Sequence, residues 1–511
     1  MDTDYLDDLP EDQLRSLSKQ LLTDLKEARE RLKQNPDTSS RPPSSREPWK
    51  ASEPRDISSE TDASVAEEKP TEGDLPSPAS GEQPAPAGSD AGSTKKAGRQ
   101  VGSQGYSRNL TLAVTQAVSH HPACCEVCGH PFAEGSDYRL REARYELELE
   151  VDSAESPRLQ VAHIRHDYLA ATCRCGHETQ ARPGRCPDES GWSVALTEYH
   201  LCGPRLVSFL VCLALSLRVS RRKIQGFLRD WLGIDLSTST INQCIHEAGR
   251  AVAPVVDEQL VAELGACDLL HIDETPWKEA GHLFWLWVFV SAQTVVYQVG
   301  KRHRLVVQQL LGGMFNGFLM TDGFSVYRIF PKRLRCWAHL VRKARALHQC
   351  LDSQGQAFGE ALLLVLILLM RNIHRLRESP EETDALRAQN HHLLALLRTL
   401  CETHRTIAHE DSRKLAGEFL NDWDAIVRVV ETPSHPLTNN LAERSLRHWV
   451  LLRKTTFGSR TPQGSRVIAL LASVIDTARL RQLNPWDFIA QVLASRRKNQ
   501  PAPRLPMPVL A

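Results

Sequence analysis

The sequence predicts an α/β fold, and the clearest evidence is a series of short apolar runs in its second half. The predicted elements are strands at 269–274, 282–291 and 294–299, a helix at 305–311, and strands at 317–321 and 334–337. On the first strand, the two-residue repeat of a β-strand places His271 and Asp273 on one face and Ile272 and Glu274 on the other. The first three strands therefore form a meander, and a helix connects them to the fourth.

The order strand, strand, strand, helix, strand is the opening order of a ribonuclease-H-like fold. In that arrangement the ends of the first and fourth strands lie side by side. The first strand is expected to end at Asp273, where a turn begins, and Asp322 follows the fourth strand. The two carboxylates would then face each other across a gap that a divalent cation could bridge.

A third carboxylate, Glu443, lies near the start of a predicted helix capped by Asn439. In this helix Ala442, Leu446 and Trp449 form the expected buried stripe. Three carboxylates suit Mg²⁺ or Mn²⁺, which prefer oxygen ligands and keep open positions. Two such ions about 4 Å apart can activate a water or a 3′-hydroxyl and stabilise a leaving 3′-oxygen.

Each acid also has an ordinary structural interpretation. Asp273 could merely start a turn. Glu443 could form a surface ion pair with Arg447, one helical turn further on. The case for a metal site rests on the three residues taken together.

Basic residues surround these acids, and no acidic residue occurs between Gly323 and Leu351. Such flanks would bind DNA phosphates without sequence preference. The predicted DNA-binding residues are Arg335, Arg342, Lys343, Arg444, Arg447, Arg453 and Lys454.

Two pairs of cysteines predict a structural zinc site. Cys125 and Cys128 form one pair, and Cys173 and Cys175 form the other. Between the pairs, apolar and polar residues alternate as in two β-strands. Four thiolates on two facing turns match tetrahedral Zn²⁺. Two alternatives remain open: a different ligand set, or reduced turn cysteines without metal. The rival ligands are Cys124, His130, His177 and Cys186.

Residues 221–249 have the outline of a helix-turn-helix. One predicted helix ends at Gly233, and Ser237 or Thr238 caps a second helix that runs through Ile241 to Gly249. The first turn of such a second helix commonly contacts DNA. Ordinary helical turns give the same pattern.

The N-terminal hundred residues differ in composition from the rest. Residues 9–34 repeat apolar side chains at heptad spacing, which predicts either a dimerising coiled coil or a helix that docks on its own chain. The next segment is rich in Pro, Ser, Glu, Ala and Gly, and predicts a disordered linker. Residues 1–100 carry 14 Lys and Arg against 21 Asp and Glu, so the otherwise neutral chain has an acidic leader and a basic body.

The scattered cysteines, 13 in number, indicate a reducing compartment rather than a disulfide framework. The apolar run 361–370 is about half the length of a membrane span, so a buried helix is expected. We therefore predict a cytoplasmic protein without a membrane partner.

Five motifs, taken in order, resemble the DDE transposases of insertion-sequence family 66. They are Asp273-Glu-Thr-Pro, Thr321-Asp322-Gly-Phe, Cys336-Trp-Ala-His339, Asn439-Asn-Leu-Ala-Glu443-Arg-Ser-Leu-Arg447 and Leu483-Asn-Pro485-Trp. The resemblance implies that Asp273, Asp322 and Glu443 are the catalytic, metal-binding triad of a ribonuclease-H-like domain with a helical insertion. It also implies that the N-terminal segments recognise transposon ends. After Glu443 the sequence departs from the motif that is usual in this family, which leaves the roles of Arg453 and Lys454 open.

The residues and the resemblance together give a division of the chain. It comprises a coiled-coil helix at 1–35, a disordered linker at 36–104, a zinc-ribbon-like domain at 105–190, a helical, helix-turn-helix-like DNA-binding domain at 191–262, the first part of the catalytic domain at 263–345, a helical insertion at 346–430, the second part of the catalytic domain, with the Glu, at 431–495, and a flexible tail at 496–511.

The expected function is that of a transposase that cuts element ends to free 3′-hydroxyls and joins them to target DNA. Mg²⁺ or Mn²⁺ at the acids, structural Zn²⁺ at the cysteines, and double-stranded DNA are the expected cofactors and partner. A homo-oligomer is expected, and the need for accessory proteins of the same element is open. Two other functions remain: a non-catalytic DNA-binding regulator or domesticated transposase, and a nuclease without strand transfer.

Overall fold

In a computed structural model of the 511-residue chain, the structure describes residues 112–151, 159–312, 315–378 and 383–507. The predicted coiled coil at 1–35 and the predicted linker at 36–104 lie outside the described residues.

The strands form two sheets. They are β1 Gln116–His120, β2 Tyr138–Val151, β3 Leu159–Thr172, β4 Glu178–Gln180, β5 Leu269–Glu279, β6 His282–Val290, β7 Val295–Gly300, β8 Phe318–Thr321 and β9 Arg333–Arg335. The first sheet has the order β1-β3-β2, with β4 paired to β3, and the second has the order β7-β6-β5-β8-β9.

The helices occupy most of the remaining chain. They are α1 Pro204–Val211, α2 Arg221–Leu232, α3 Thr238–Pro254, α4 Val261–Gly265, α5 Arg304–Leu311, α6 Trp337–His348, α7 Ser353–Glu378, α8 Thr383–His404, α9 Glu410–Asn421, α10 Trp423–Glu431, α11 Asn440–Thr456, α12 Pro462–Leu480 and α13 Pro485–Arg497. The mixed α/β class predicted from the sequence is confirmed, with a helical C-terminal region.

The first sheet is built on a long antiparallel pair, β2 and β3, that joins the two cysteine pairs. The two predicted strands are confirmed, and β3 is longer than expected. Both cysteine pairs lie at the same end of this sheet, because one precedes β2 and the other follows β3.

The second sheet confirms the predicted meander and the predicted crossover. β5, β6 and β7 pair antiparallel, and β8 pairs parallel with β5 through Leu269–His271. One expectation was wrong: β5 does not end at Asp273. It continues to Glu279, because β6 pairs with it along that whole length, and Trp277 is fully buried there with its indole N–H bonded to the Ser459 hydroxyl at 3.1 Å.

The predicted helix-turn-helix elements are present as α2 and α3. Gly233 ends α2 in the left-handed conformation, at φ 66°, which a residue without Cβ adopts at little cost. The Ser237 side chain caps α3 by accepting the Thr240 backbone N–H at 3.0 Å. Ser239, Asn242 and Gln243 are exposed on the first turns of α3.

Helices α6 to α10 share a hydrophobic core of their own. Phe358, Leu362, Leu366 and Leu369 of α7 are fully buried in it. Among the described residues, α7 is the one helix long and apolar enough to cross a membrane by length and composition alone. Its buried face in this cluster is typical of a core helix, as predicted for 361–370.

Helix α12 covers the edge strand β7. The Ser473 hydroxyl accepts the Tyr297 backbone N–H at 2.8 Å, and the Thr477 hydroxyl accepts the N–H of Val295 at 3.0 Å and donates to its carbonyl at 2.9 Å. These side chains satisfy groups that an edge strand leaves unpaired, so the sheet ends here without an open edge.

The predicted flexible tail, 496–511, differs in the structure over 496–507. Helix α13 runs to Arg497, and Leu505 is buried, with its N–H and carbonyl bonded to the Gln259 side chain at 2.9 and 2.8 Å. The apolar side chain and the two buried hydrogen bonds fix this segment against the π-helical turn Val255–Leu260, which directly follows α3.

Candidate functional site

Asp273 lies within β5, between two strands rather than at a free strand end. It pairs with Val288 of β6, and the parallel pairing of His271 with Met320 lies two residues before it. Its carboxylate is partly buried and accepts the Glu274 backbone N–H at 2.9 Å.

Asp322 follows β8 directly. Continuing the register of β5 and β8 by two residues pairs Asp322 with Asp273. Its carboxylate accepts the Phe324 backbone N–H at 2.9 Å, which fixes the turn after the strand. Burial raises the pKa of the Asp322 carboxyl, and this hydrogen bond with three nearby cations opposes the rise.

Glu443 lies in the first turn of α11 and is 8% exposed. Asn439, which precedes this helix, positions it against β5. The Asn439 Nδ2 donates to the Ile272 carbonyl at 2.9 Å, and its Oδ1 accepts from His271 Nδ1 at 3.1 Å. A polar side chain thus joins the strand that carries Asp273 to the helix that carries Glu443.

The three carboxylates are close enough to interact electrostatically. Burial raises the pKa of Asp273 well above its usual range, and the negative charges of Glu274, Asp322 and Glu443 raise it further. Like charges held together in a low-dielectric site destabilise one another, and a bound cation relieves this repulsion.

A fourth acid, Glu274, is bound rather than directed to solvent. It accepts from Arg302 at 3.1 Å and from the Tyr327 hydroxyl. Burial and the charge of Asp322 raise the pKa of Glu274 to about 7. Glu274 therefore forms an ion pair with Arg302 inside β5, which has no turn at this point. Arg302 lies outside the five motifs, so the local sequence did not indicate that it would bind Glu274.

Cys336 and His339 complete the surroundings of Glu443. The Cys336 thiol, a His339 ring nitrogen and a Glu443 oxygen lie within 4.8 Å of one another, and His339 Nδ1 is 3.8 Å from Glu443. Burial, with the positive charges of Arg342 and Lys343, lowers the pKa of His339 to about 3. The imidazole is therefore neutral at pH 7. The spacing Cys-x-x-His at a helix start was the available signal, since residues three apart share a helix face.

The predicted DNA-binding residues fall into three groups by exposure. Lys343, Arg444, Arg447 and Lys454 are exposed, Arg335 and Arg342 are buried, and Arg453 is half-buried. The Arg335 guanidinium bonds to Asp422 and Glu418, each at 2.5 Å. The structure therefore does not bring Arg335 to the surface. Arg453 donates to the Thr275 hydroxyl at 3.1 Å and so holds the continuation of β5.

Trp337 is a core residue: it is 1% exposed, and its indole N–H donates to the Ile426 carbonyl at 3.0 Å. The predicted stripe of Ala442, Leu446 and Trp449 on α11 is also buried.

The four predicted zinc ligands come together at the end of the first sheet. The sulfur of Cys125 is 3.6 Å from that of Cys175, the sulfur of Cys128 is 3.4 Å from that of Cys173, and all four lie within 4.8 Å. In a tetrahedral site with Zn–S bonds of 2.3 Å, sulfur atoms are about 3.8 Å apart. The cluster can therefore hold a structural zinc ion.

The turns around this cluster favour a thiolate at Cys125. Backbone N–H groups, chiefly that of Cys128, lower the pKa of Cys125 to about 6, while the sulfurs of the other cysteines raise the pKa of Cys128 to about 12. Glycines at φ 70° and 88°, Gly129 and Gly176, close the two turns with N–H bonds of 2.9 Å to the carbonyls of Cys125 and Cys173. Within the part of the chain that the structure describes, the four rival ligands are not members of the cluster.

Comparison with known proteins agrees with these features. The family model described as "Transposase IS66 family" matches residues 200–467, just over half of the chain. This range contains α2, α3, the second sheet and all three carboxylates.

Two curated relatives come from Sinorhizobium fredii (strain NBRC 101917 / NGR234). Uncharacterized protein y4qI is 23% identical over 313 residues, which cover 54% of this chain and 56% of the relative. Uncharacterized protein y4jD is 26% identical over 235 residues, which cover 43% and 44%. The chain spans about half the length of the curated relatives it matches. By the family match, the chain belongs to the IS66 family of transposases.

Proposed function

We propose that the protein is a DNA transposase that binds the ends of an insertion element, cleaves them to free 3′-hydroxyls and joins them to target DNA. The observation that carries this proposal is that Asp322 and Glu443, both far from Asp273 in sequence, lie near enough to it for their charges to raise its pKa. Family membership supports a transposase-type function, and the three carboxylates support metal-dependent cleavage and joining of DNA as its chemistry.

We assign the second sheet and α11 to a ribonuclease-H-like catalytic domain. The support is the strand order β7-β6-β5-β8-β9, with an antiparallel meander followed by two parallel strands. In this assignment β5 and β8 provide one acid each at the middle of the sheet, and α11 provides the third. Helices α6 to α10 are the insertion between the second and third acids.

The donor set fits Mg²⁺ or Mn²⁺. Carboxylate oxygens are the ligands that these ions prefer, and the raised pKa of Asp273 marks a place where positive charge would be stabilised. When bound, a pair of such ions activates a water or a 3′-hydroxyl and stabilises the leaving 3′-oxygen. Asp273, Asp322 and Glu443 would hold them.

The chain's own residues fix this arrangement. Asn439 sets the distance between β5 and the start of α11 through its two side-chain hydrogen bonds. Arg302 and Tyr327 bind the Glu274 carboxylate and fix its orientation. His339, neutral at pH 7, lies beside Glu443 without adding charge. Catalysis by positioning requires this rigidity, since a displacement of about 1 Å can cost 10²-fold in rate.

DNA would lie along the exposed face of α11. Arg444, Arg447 and Lys454 are exposed and lie on one helical face, at spacings of three and seven residues. This face adjoins Glu443, so a phosphate bound there lies next to the acids. The exposed Ser239, Asn242 and Gln243 of α3 are suited to contacting the bases of an element end.

The zinc-ribbon-like segment, with Zn²⁺ at Cys125, Cys128, Cys173 and Cys175, would stabilise the first sheet as a further DNA-binding element. Four protein sulfurs leave no open position, so the role of this ion is structural.

The experiment is a Mg²⁺-dependent reaction on labelled element-end DNA, comparing the wild type with Asp273→Asn. Asn keeps the size and the acceptor oxygen but removes the charge that a metal needs. We expect loss of cleavage and joining, with end binding retained. Asp476→Asn is the matched control, because Asp476 is also a buried carboxylate and accepts from Trp449 at 2.8 Å outside the acid cluster.

A fully active Asp273→Asn variant would contradict the triad assignment. Capture of the labelled 3′ end in a new duplex separates a transposase from a nuclease that only hydrolyses. A wild-type protein that binds ends without either reaction would instead be a DNA-binding regulator.

A further inference from the structure

A second group of metal-ligating side chains lies away from both sites described above. A ring nitrogen of His200 and the sulfurs of Cys202 and Cys244 lie within 4.8 Å of one another. His200 and Cys202 follow the first sheet, and Cys244 lies on α3. In the sequence Cys244 is an ordinary helical cysteine, and no spacing connects it with the other two.

This group is enclosed by the protein. Cys202 and Cys244 are fully buried, and the His200 side chain is 19% exposed. A single buried cysteine is normally a small hydrophobe. Two buried thiols and an imidazole that converge from distant parts of the chain are instead the donor set of Zn²⁺.

The His200 ring is oriented as in a metal-bound histidine. Its Nδ1 faces Cys202, whose backbone N–H donates to it at 3.2 Å, and zinc bound at this nitrogen would replace that hydrogen bond. Its Nε2 lies 3.5 Å from the Glu247 carboxylate. A carboxylate at the second ring nitrogen is the usual partner that fixes the tautomer of a metal-binding histidine.

Glu247 is itself held in place. Arg497 of α13 donates two hydrogen bonds to it, at 2.8 and 2.9 Å, and both side chains are buried. These two hydrogen bonds align the carboxylate toward His200. The group therefore has ligands and a supporting shell, which a chance approach of two cysteines lacks.

We propose that His200, Cys202 and Cys244 bind a Zn²⁺ ion, separate from the four-cysteine site, with a water molecule in the fourth position. The ion joins the end of the first sheet to α3. The sheet already contacts this turn, because Leu147 exchanges backbone hydrogen bonds of 2.7 and 2.8 Å with Leu201 and Gly203. Zinc would thus connect the zinc-ribbon-like segment rigidly to the helix that presents Ser239 and Asn242.

The test is the zinc content of the purified full-length chain, measured by native mass spectrometry and by elemental analysis under reducing conditions. We expect two equivalents in the wild type and one in Cys244→Ser. A Cys125→Ser, Cys128→Ser double variant should also retain one, which shows that the two sites fill independently. Cys401→Ser is the matched control, because Cys401 is a buried helical cysteine outside these groups.

Cobalt substitution tests the same proposal in the wild-type chain, where folding is not in doubt. Co²⁺ titration should give thiolate-to-cobalt absorption in two phases, with the weaker one from the site with two sulfurs. A wild type with one equivalent of metal, or a Cys244→Ser variant with two, would overturn the proposal. So would a disulfide between Cys202 and Cys244 in the unreduced, denatured protein, identified as a cross-linked peptide pair together with a count of 11 rather than 13 free thiols.

Discussion

The substitution Asn439→Ala tests how the helix that carries Glu443 is held against the strand that carries Asp273. Asn439 is 1% exposed, and its side chain makes two hydrogen bonds, to the Ile272 carbonyl and to His271 Nδ1. Alanine removes both and leaves two buried polar groups without these partners. Each such group costs about 1–3 kcal/mol, so the free energy of unfolding should fall by roughly 2–6 kcal/mol.

The same change should slow the reaction beyond its effect on stability. Glu443 lies one helical turn after Asn439, so a shift of the helix start moves the carboxylate relative to Asp273. A displacement of about 1 Å corresponds to a rate loss on the order of 10²-fold. The assays are urea denaturation at pH 7 and Mg²⁺-dependent end cleavage, with the rate divided by the folded fraction.

Asn390→Ala is the matched control. Asn390 is 3% exposed in α8 and accepts from Asn372 Nδ2 at 2.9 Å, inside the helical insertion. It should lose about 1–3 kcal/mol of stability, because one buried group loses its partner, and keep the wild-type rate per folded molecule. A normal rate per folded molecule in Asn439→Ala, or a stability loss below about 1 kcal/mol, would refute the positioning role.

Burial lowers the pKa of His271 to about 4, so its neutral form contributes stability above pH 6.5 that is lost as the pH falls from 6.5 to 4. The full contribution is roughly 3 kcal/mol, and denaturation curves of His271→Gln should show a flatter pH dependence than the wild type across this window. Arg447→Ala, on the exposed face of α11, should weaken DNA binding and reduce the slope of log affinity against log salt by about 0.9. Arg335→Ala should leave that slope unchanged in its folded fraction but destabilise the fold by about 1–3 kcal/mol, since buried Asp422 loses one charged partner and keeps its ion pairs with Arg333 and Arg328. If the two arginine variants shift the salt slope equally, the distinction drawn from burial fails.

The sequence predicted the parts of the fold that depend on local pattern. The strands of the second sheet follow apolar runs, and the ends of α2 and the start of α3 follow Gly233 and Ser237, whose preferred conformations are properties of the residues themselves. The four zinc-site cysteines were also found, because metal-ligand spacing within each turn is a local feature.

What could not be predicted depends on partners distant in sequence. Nothing near Arg335 indicates that Glu418 and Asp422 bind it, so its charge was assigned to DNA. Likewise Cys244 is an ordinary helical cysteine until the fold brings Cys202 to it. The end of β5 was misplaced for the same reason, since the run of β6 decides how far the strand continues.

Glu443 follows the helical insertion in the chain, and it nevertheless lies beside the other two acids. Two hydrogen bonds join the two ends of the insertion. The Trp337 backbone N–H donates to the Leu437 carbonyl at 2.8 Å, and the Asn439 backbone N–H donates to the Cys336 sulfur at 3.2 Å. Helices α6 to α10 therefore leave the site and return to it at one point, while their shared core offsets the entropy of closing this long loop. The position of Glu443 is then set by β5 and α6 rather than by the length of the insertion. An insertion of different length with the same two contacts would present the same three carboxylates.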